Sequence, residues 1–176
     1  MVQAEREKRM TKEYIQERID LYEDMLYRIA YLQLKNSYDA QDVIQEVFYQ
    51  YIKCDREFES DEHEKAWLIK VTLNGCRKLW RSAWFRRTEG MPGQDMAAES
   101  FLEQEIVERE QRRELLKEVW RLPQKYREVI HLFYFEQLSV KEISRVTGSK
   151  ESTVTSQLTR GRELLKRRLK EEYRYE

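Results

Sequence analysis

Apolar residues recur at intervals of three and four along three stretches in the first half of the chain. These stretches lie at about 14–34, 43–52 and 65–86. Such spacing places the apolar side chains on one face of an α-helix. Asn36-Ser37-Tyr38-Asp39 separates the first two stretches and predicts a helix break with a cap. The pattern predicts a module of three amphipathic helices joined by short links.

The same periodicity returns in the second half of the chain. A helix is predicted from near Phe101 to about Arg121, and Pro123 then marks the start of another helix, a position where proline is tolerated. The apolar stripe of that second helix extends to Tyr134.

Two further helices are predicted on either side of a glycine. Ser139 stands three residues before Glu142, which is the spacing of a capping box at the start of a helix over about Val140–Val146. Gly148 supplies the positive φ of a tight turn. The polar helix that begins near Glu151 ends in basic residues, which favours a helix-turn-helix over an ordinary helical hairpin.

Residues 88–100 contain two glycines and a proline, are polar and acidic, and lack apolar periodicity. They predict a flexible linker. The predicted fold class is therefore all-α, with two small helical domains. The first covers residues 1–87, and the second covers residues 101–176 and contains the helix-turn-helix.

The distribution of charge along the sequence is more informative than the net charge. The 33 basic and 33 acidic residues cancel, and zero net charge speaks against nucleic-acid binding. Residues 65–87 nevertheless carry seven basic and no acidic residues, and residues 139–170 carry nine basic and three acidic ones. The acidic excess lies in residues 39–64 and 88–118. Two basic blocks therefore remain as candidates for contact with phosphates.

The sequence offers little support for catalysis or membrane insertion. It has no apolar run of about 18 residues and no secretory signal, so a cytoplasmic protein is expected. Cys54 and Cys76 predict buried free thiols, and His63 and His131 complete no metal spacing. No phosphate-binding glycine loop or nucleophile signature is present. We expect no enzyme activity, no cofactor and no metal.

Several segments resemble one family of proteins. The segment 39–48, DAQDVIQEVF, looks like the core-polymerase-binding helix of bacterial RNA polymerase sigma factors of the extracytoplasmic-function (ECF) group, which belongs to the sigma-70 family. The segment 67–74, WLIKVTLN, looks like the family's −10 recognition helix. Residues 122–165 resemble its −35-reading domain. The resemblance covers about residues 12–87 and 101–170, in the family's order and spacing.

The resemblance implies a function in promoter recognition, DNA melting and transcription initiation. Its partners would be promoter DNA and core RNA polymerase, through a coiled coil of the largest subunit and the flap. An anti-sigma factor is expected from the resemblance alone. The implied polymerase-binding residues are Asp39, Asp42, Gln45, Glu46 and Tyr49.

The DNA-binding residues that the resemblance implies lie in both basic blocks. For the −10 element they are Phe58, Lys65, Lys70, Asn74, Arg77, Lys78 and Arg81. Asn74 would pair with a base edge and Phe58 would stack on an extruded base. For the −35 element they are Ser152, Thr153, Thr155, Ser156, Thr159, Arg160 and Arg162.

The sequence departs from the family pattern in the recognition helix, where Lys150 also replaces the usual capping serine, and in the loop of the first module. Thr155 and Gln157 replace basic residues that the recognition helix usually carries, so the −35 sequence does not transfer. The loop at 57–64 is unusually acidic for a segment that approaches DNA.

Two alternatives use the same observations. An autonomous helix-turn-helix regulator would bind DNA as a symmetric dimer, but the sequence has no heptad dimerisation helix. A helical adaptor would leave both basic blocks without a role.

Overall fold

The structure, a computed structural model, describes residues 11–54, 56–87 and 110–172, with side chains for 11–54, 56–82 and 115–170. All regular structure in these ranges is helical, which confirms the predicted all-α class. None of the helices in these ranges is long and apolar enough to span a bilayer. The predicted linker at 88–100 and the side chains of Trp84 and Phe85 lie outside the described residues.

The first module consists of three helices. They are α1 (Lys12–Leu34), α2 (Ser37–Lys53) and α3 (Asp61–Arg87). The Thr11 hydroxyl accepts the Tyr14 N–H and so caps α1, and the Asn36 side chain accepts the Asp39 N–H at 3.0 Å and so caps α2. All three helices pack on one another around a core that includes Leu26, Ile29, Val47, Leu68 and Leu73.

The helix α3 begins at Asp61, four residues earlier than the sequence pattern predicted. The Ser60 hydroxyl accepts the His63 N–H at 3.1 Å, which supports the new start. Asp61, Glu62 and Glu64 therefore fall in the first turn of a helix, where the macrodipole favours negative charge. Much of the acidity that was unexpected in a DNA-facing loop belongs to a helix N-terminus instead.

The second module consists of four helices. They are α4 (Glu110–Arg121), α5 (Gln124–Tyr134), α6 (Val140–Thr147) and α7 (Glu151–Glu172). Ser139 and Glu142 form the predicted capping box, and Gly148 adopts φ 76° in the turn between α6 and α7. At Gly161 the helix α7 comes so close to α5 that a Cβ atom would lie 2.9 Å from Ile130 Cγ1. The absence of a side chain at Gly161 sets the distance between these two helices.

The two modules pack against each other, with α1 on α5 and α3 on α6. The carbonyl oxygen of Gln33, at the end of α1, accepts from Trp80 Nε1 at 3.0 Å and from Arg127 Nη2 at 3.4 Å. Arg127 also donates to the carbonyl oxygens of Trp120 and Leu122. Its side chain is 2% exposed, and this burial lowers its pKa to about 10, although Glu128 acts in the opposite direction.

Two ion pairs cross the same interface. Arg77 Nη2 of α3 lies 2.9 Å from Glu128 Oε1 of α5, and Arg28 Nε of α1 lies 3.5 Å from Glu136 Oε1. Burial raises the pKa of Glu128, while the charge and the hydrogen bond of Arg77 lower it. The pKa of Glu136 is lowered, because its bonds to His131 and Arg28 outweigh its burial. The contact between the modules is thus partly electrostatic.

The turn at Gly148 gives the first prediction. Nothing lies within 4 Å of a Cβ atom added at Gly148, so Gly148→Ala has only the positive φ to oppose it. We expect the free energy of unfolding to fall by about 1–2 kcal/mol, measured by urea denaturation. The converse change, Gln137→Gly at an exposed residue with φ 58°, should raise it by about 0.5–1 kcal/mol. If both changes shifted the free energy of unfolding in the same direction, the backbone conformation would not be the cause.

The interface between the modules gives the second prediction. Glu128→Lys places a second cation beside Arg77 and should weaken the contact by about 2 kcal/mol. We expect the radius of gyration from small-angle X-ray scattering to increase, with helix content unchanged. The double variant Arg77→Glu with Glu128→Lys restores an opposite-charge pair and should restore the compact form. A double variant as expanded as the single one would refute the pairing.

Candidate functional site

The exposed face of α2 carries the predicted polymerase-binding residues. Asp42, Gln45, Glu46 and Tyr49 are exposed there, and Asp39 is half-buried. The opposite face, with Val43, Ile44, Val47 and Phe48, is buried against α1 and α3. The rigid core side therefore holds the acidic side in a fixed orientation towards solvent.

Two further residues on α2 extend this surface and correct the sequence prediction, which placed Tyr38 in a helix break and Ile52 on the apolar stripe of the helix. The side chains of Tyr38 and Ile52 are 76% and 45% exposed, and they follow the helical spacing of Asp42, Gln45 and Tyr49. Large exposed apolar side chains between acidic ones are typical of a protein interface rather than of a solvated helix face. The same spacing was visible in the sequence. We define this acidic and apolar face of α2, from Tyr38 to Ile52, as the α2 face.

The basic residues of α3 form a row along one side of the helix. Lys70, Asn74, Lys78 and Arg81 are exposed at spacings of four, four and three, which keeps them on neighbouring turns. Arg77 is half-buried beside this row and donates to Asn74 Oδ1 at 3.4 Å. The bond from Arg77 to Glu128 engages one predicted DNA-binding residue within the chain.

The structure places Lys65 and Phe58 apart from the row on α3. Lys65, in the second turn, is half-buried. The pKa of Glu142 is lowered chiefly by its bonds to the backbone and hydroxyl of Ser139, and the charge of Lys65 adds to this effect. Phe58 is also half-buried, and it packs against aromatic side chains of the first module instead of projecting alone.

The helix α7, the second helix of the helix-turn-helix, exposes the predicted hydroxyls near its N-terminus. Thr155, Ser156 and Thr159 donate to the carbonyl oxygens of Glu151, Ser152 and Thr155 at 2.9–3.0 Å. Their hydroxyl protons are thus engaged within the helix, and their lone pairs are directed outward as acceptors. Acceptors of this kind suit the amino groups of adenine or cytosine in the major groove.

A cavity of about 330 Å³ lies between this part of α7 and the start of α5. It is lined by Lys125, Tyr126, Ser152, Thr153, Ser156, Gln157 and Arg160. The pKa of Tyr126 is lowered, first by its bond to Arg160 and also by Lys125. Two cations beside hydroxyl groups can hold a phosphate. Lys125 and Tyr126 were missed because they lie on another helix, 26 or more residues before Ser152 in the sequence.

Arg162 does not lie with Arg160. Its Nε donates to the Tyr134 hydroxyl at 2.6 Å, and its guanidinium group lies over the rings of Phe133 and Tyr134. It borders an apolar groove of about 670 Å³ between α4, α5 and α7. The groove is lined by Leu115, Val119, Ile130, Tyr134, Phe135, Arg162, Leu165, Lys166, Leu169 and Lys170.

The described residues show no metal centre. Within residues 11–54, 56–87 and 110–172, no three His, Cys, Asp or Glu side chains are arranged to hold an ion. Cys76 is buried, and burial raises the pKa of its thiol to about 12, so it is unreactive at neutral pH. Cys54 is half-buried and its thiol donates to the Tyr51 carbonyl oxygen.

Solved structures of other proteins share this arrangement of helices. The sigma factor RpoE of Bartonella quintana, solved in complex with the anti-sigma factor NepR, superposes with a TM-score of 0.70 over 91% of this chain and 98% of that one, at 21% identity. CnrH, solved with the cytosolic domain of CnrY, superposes with a TM-score of 0.60 over 91% of this chain and 90% of that one, at 22% identity. At such identities the likeness establishes the fold.

Sequence comparison establishes the family. Residues 19–86 match the model of sigma-70 region 2, and residues 112–165 match that of sigma-70 region 4. The ECF sigma factor SigW of Bacillus subtilis is 31% identical over 164 residues, 87% of each chain. SigV of the same organism is 27% identical over 95% of this chain and 98% of that one. The chain therefore belongs to the ECF group of sigma-70 factors and has the function of an alternative sigma factor.

Proposed function

We propose that the α2 face binds a coiled coil of the largest polymerase subunit. The observation that carries this proposal is the exposure of Tyr38, Tyr49 and Ile52 on the same stripe as Asp42 and Glu46. Apolar side chains contribute buried area, and the acidic side chains select a basic partner and its orientation. The chain contributes specificity and no catalytic step, and it acts in the cytoplasm with the polymerase.

The row on α3 is proposed to hold the −10 element. Lys70, Lys78 and Arg81 are exposed cations that suit consecutive phosphates of one strand. Asn74 lies among them and presents an amide, which can pair with a base edge once the bases are unstacked. Because Glu128 already engages Arg77, this arginine joins the DNA contact only after the two modules separate.

The N-terminal half of α7 is proposed to read the −35 element. The outward lone pairs of Thr155, Ser156 and Thr159 accept from base amino groups, and the cavity at Lys125 and Arg160 holds a phosphate beside them. Hydroxyl groups discriminate bases less strongly than bidentate arginine does. The −35 contact thus depends more on phosphates than a recognition helix with basic residues in the groove would.

Two protein partners are proposed for the second module. The apolar groove bordered by Arg162 lies on α4, α5 and the C-terminal half of α7, away from the hydroxyl groups of that helix. DNA and a protein can therefore contact the module on different sides, and we assign the groove to the polymerase flap. The relatives solved with NepR and CnrY support an anti-sigma factor as a further partner.

The polymerase contact gives the third prediction. Asp42→Lys with Glu46→Lys reverses both charges at the centre of the α2 face and should abolish binding to core polymerase in a pull-down. The double variant should also abolish specific transcript starts when the chain is added to core enzyme. Glu13→Lys with Glu17→Lys is the matched control, since it makes the same change at the same spacing on exposed residues of α1. Unchanged pull-down by the first variant would refute the assignment, and binding of the free chain to duplex DNA as a symmetric dimer would favour an autonomous regulator.

The amide on α3 gives the fourth prediction. Asn74→Ala removes one base-pairing group and should reduce promoter opening by about tenfold, with core affinity unchanged. Permanganate footprinting of the melted region measures opening, and fluorescence anisotropy measures core affinity. Gln16→Ala changes an exposed amide on α1 and serves as the control. An equal loss of opening and core affinity would argue against base reading by Asn74.

A further inference from the structure

Glu64 is a buried carboxylate that takes no part in the proposed contacts. Its residue exposure is 3%, although it stands in the first turn of α3 beside a polar loop. Glu64 accepts from the Tyr51 hydroxyl at 2.5 Å and from the Tyr22 hydroxyl at 3.4 Å. The guanidinium of Arg18 lies 3.5 Å away and also pairs with Asp61 at 3.2 Å. All three helices of the first module meet at this one carboxylate.

The partners of Glu64 explain how its charge is tolerated. A buried carboxylate is destabilising unless hydrogen bonds and an opposite charge replace its hydration. The pKa of Tyr51 is raised by burial, and its bond to Glu64 raises it further, so the phenol keeps its proton and donates. The pKa of Tyr22 is likewise raised to about 12, by burial and by the charge of Glu64. Of the two phenols, Tyr51 makes the shorter bond.

Tyr51 connects this carboxylate to the loop between α2 and α3. The rings of Tyr51 and Phe58 are stacked, with centroids 6.1 Å apart. Phe58 also meets the rings of Trp67 and His63 edge-on, at 5.6 Å in each case. The backbone N–H of Glu59 donates to His63 Nδ1 at 3.2 Å. The ring of Phe58 is therefore enclosed on several sides by the first module.

We infer that Glu64 and Tyr51 are positioning residues for residues 56–60, the loop that receives the extruded −10 base. Glu64 fixes Tyr51 through the hydroxyl, and Tyr51 supports Phe58, so Phe58 anchors the loop rather than stacking on the base. This inference rests on the −10 function that the family resemblance implies for this loop and that we propose for it together with the row on α3. A loop that is ordered before DNA arrives loses less conformational freedom on binding, and this raises affinity for the single strand.

Removal of the Tyr51 hydroxyl is the most specific test of this inference. Tyr51→Phe keeps the ring and its stack on Phe58 but removes the donor to Glu64. With holoenzyme formed from the full chain, we expect about tenfold weaker binding of a single-stranded −10 oligonucleotide, measured by anisotropy. Affinity for core polymerase and for a duplex −35 fragment should not change. If Tyr51 contributed to folding alone, its loss would not lower the −10 affinity while leaving the affinities for core polymerase and the −35 fragment unchanged.

Tyr22→Phe is the matched control. It removes the other phenol donor to Glu64, which makes a longer bond and belongs to α1 rather than to the end of α2. We expect less than about a twofold change in −10 affinity. Glu64→Gln is the second variant. It keeps an oxygen that can accept from Tyr51 but removes the negative charge that strengthens this hydrogen bond. It should weaken −10 binding without loss of core affinity, even if Tyr51→Phe proves too unstable to measure.

The outcomes separate this inference from the function on which it rests. Equal −10 affinities for Tyr51→Phe, Tyr22→Phe and the unmodified chain, or no effect of Glu64→Gln, would overturn the positioning role and leave the loop's function standing. Unmodified holoenzyme that binds the −10 oligonucleotide no better than a scrambled one would overturn the proposed function itself. Loss of core and −10 affinity together would assign Glu64 to folding alone.

Discussion

The ends of two helices from different modules meet at one buried cation, the guanidinium of Arg127. It has carbonyl oxygens as hydrogen-bond acceptors, at Trp120 and Leu122 near the end of α4 and at Gln33 near the end of α1. Helix C-termini carry partial negative charge and unpaired carbonyls, so they can solvate a cation where water cannot reach. The ends of α1 and α4 are therefore fixed relative to α5. The close approach at Gly161 in turn fixes the position of α7 relative to α5.

The same interface contains polar bonds for which other partners can compete. Its bonds across the modules join Arg127 to the carbonyl oxygen of Gln33, and Arg77 and Arg28 to carboxylates. Water, phosphate or another protein can replace each of these partners, which is not true of the apolar core of either module. Burial and the nearby charge of Arg127 lower the pKa of Lys35 to about 8. The packed interface therefore disfavours the charged form of Lys35. A contact of this composition fits the proposed binding of DNA by both modules.

Local sequence features predicted most of the fold, and contacts distant in sequence account for what was missed. Apolar spacing, the Ser139 capping box and the turn at Gly148 were all visible in short windows and are confirmed. The start of α3 was misplaced because acidic residues resemble a loop in composition, although they also favour a helix N-terminus. The separation of Arg160 from Arg162 follows from helix geometry, since two residues subtend about 200°. The Arg77–Glu128 pair joins residues 51 apart, and no local pattern reports it.

The Arg77–Glu128 pair shows how acidic residues of this chain can compete with DNA for its basic residues. An exposed lysine such as Lys70 gains affinity for DNA by releasing small ions, and this gain is entropic. Arg77 is already neutralised by Glu128, so its contact with phosphate first breaks an internal pair and leaves a carboxylate to be hydrated. The free chain therefore gains less from DNA than its basic blocks imply. A partner that separates the modules would remove this competition before DNA binds, and the polymerase contact proposed for the α2 face is independent of the row on α3.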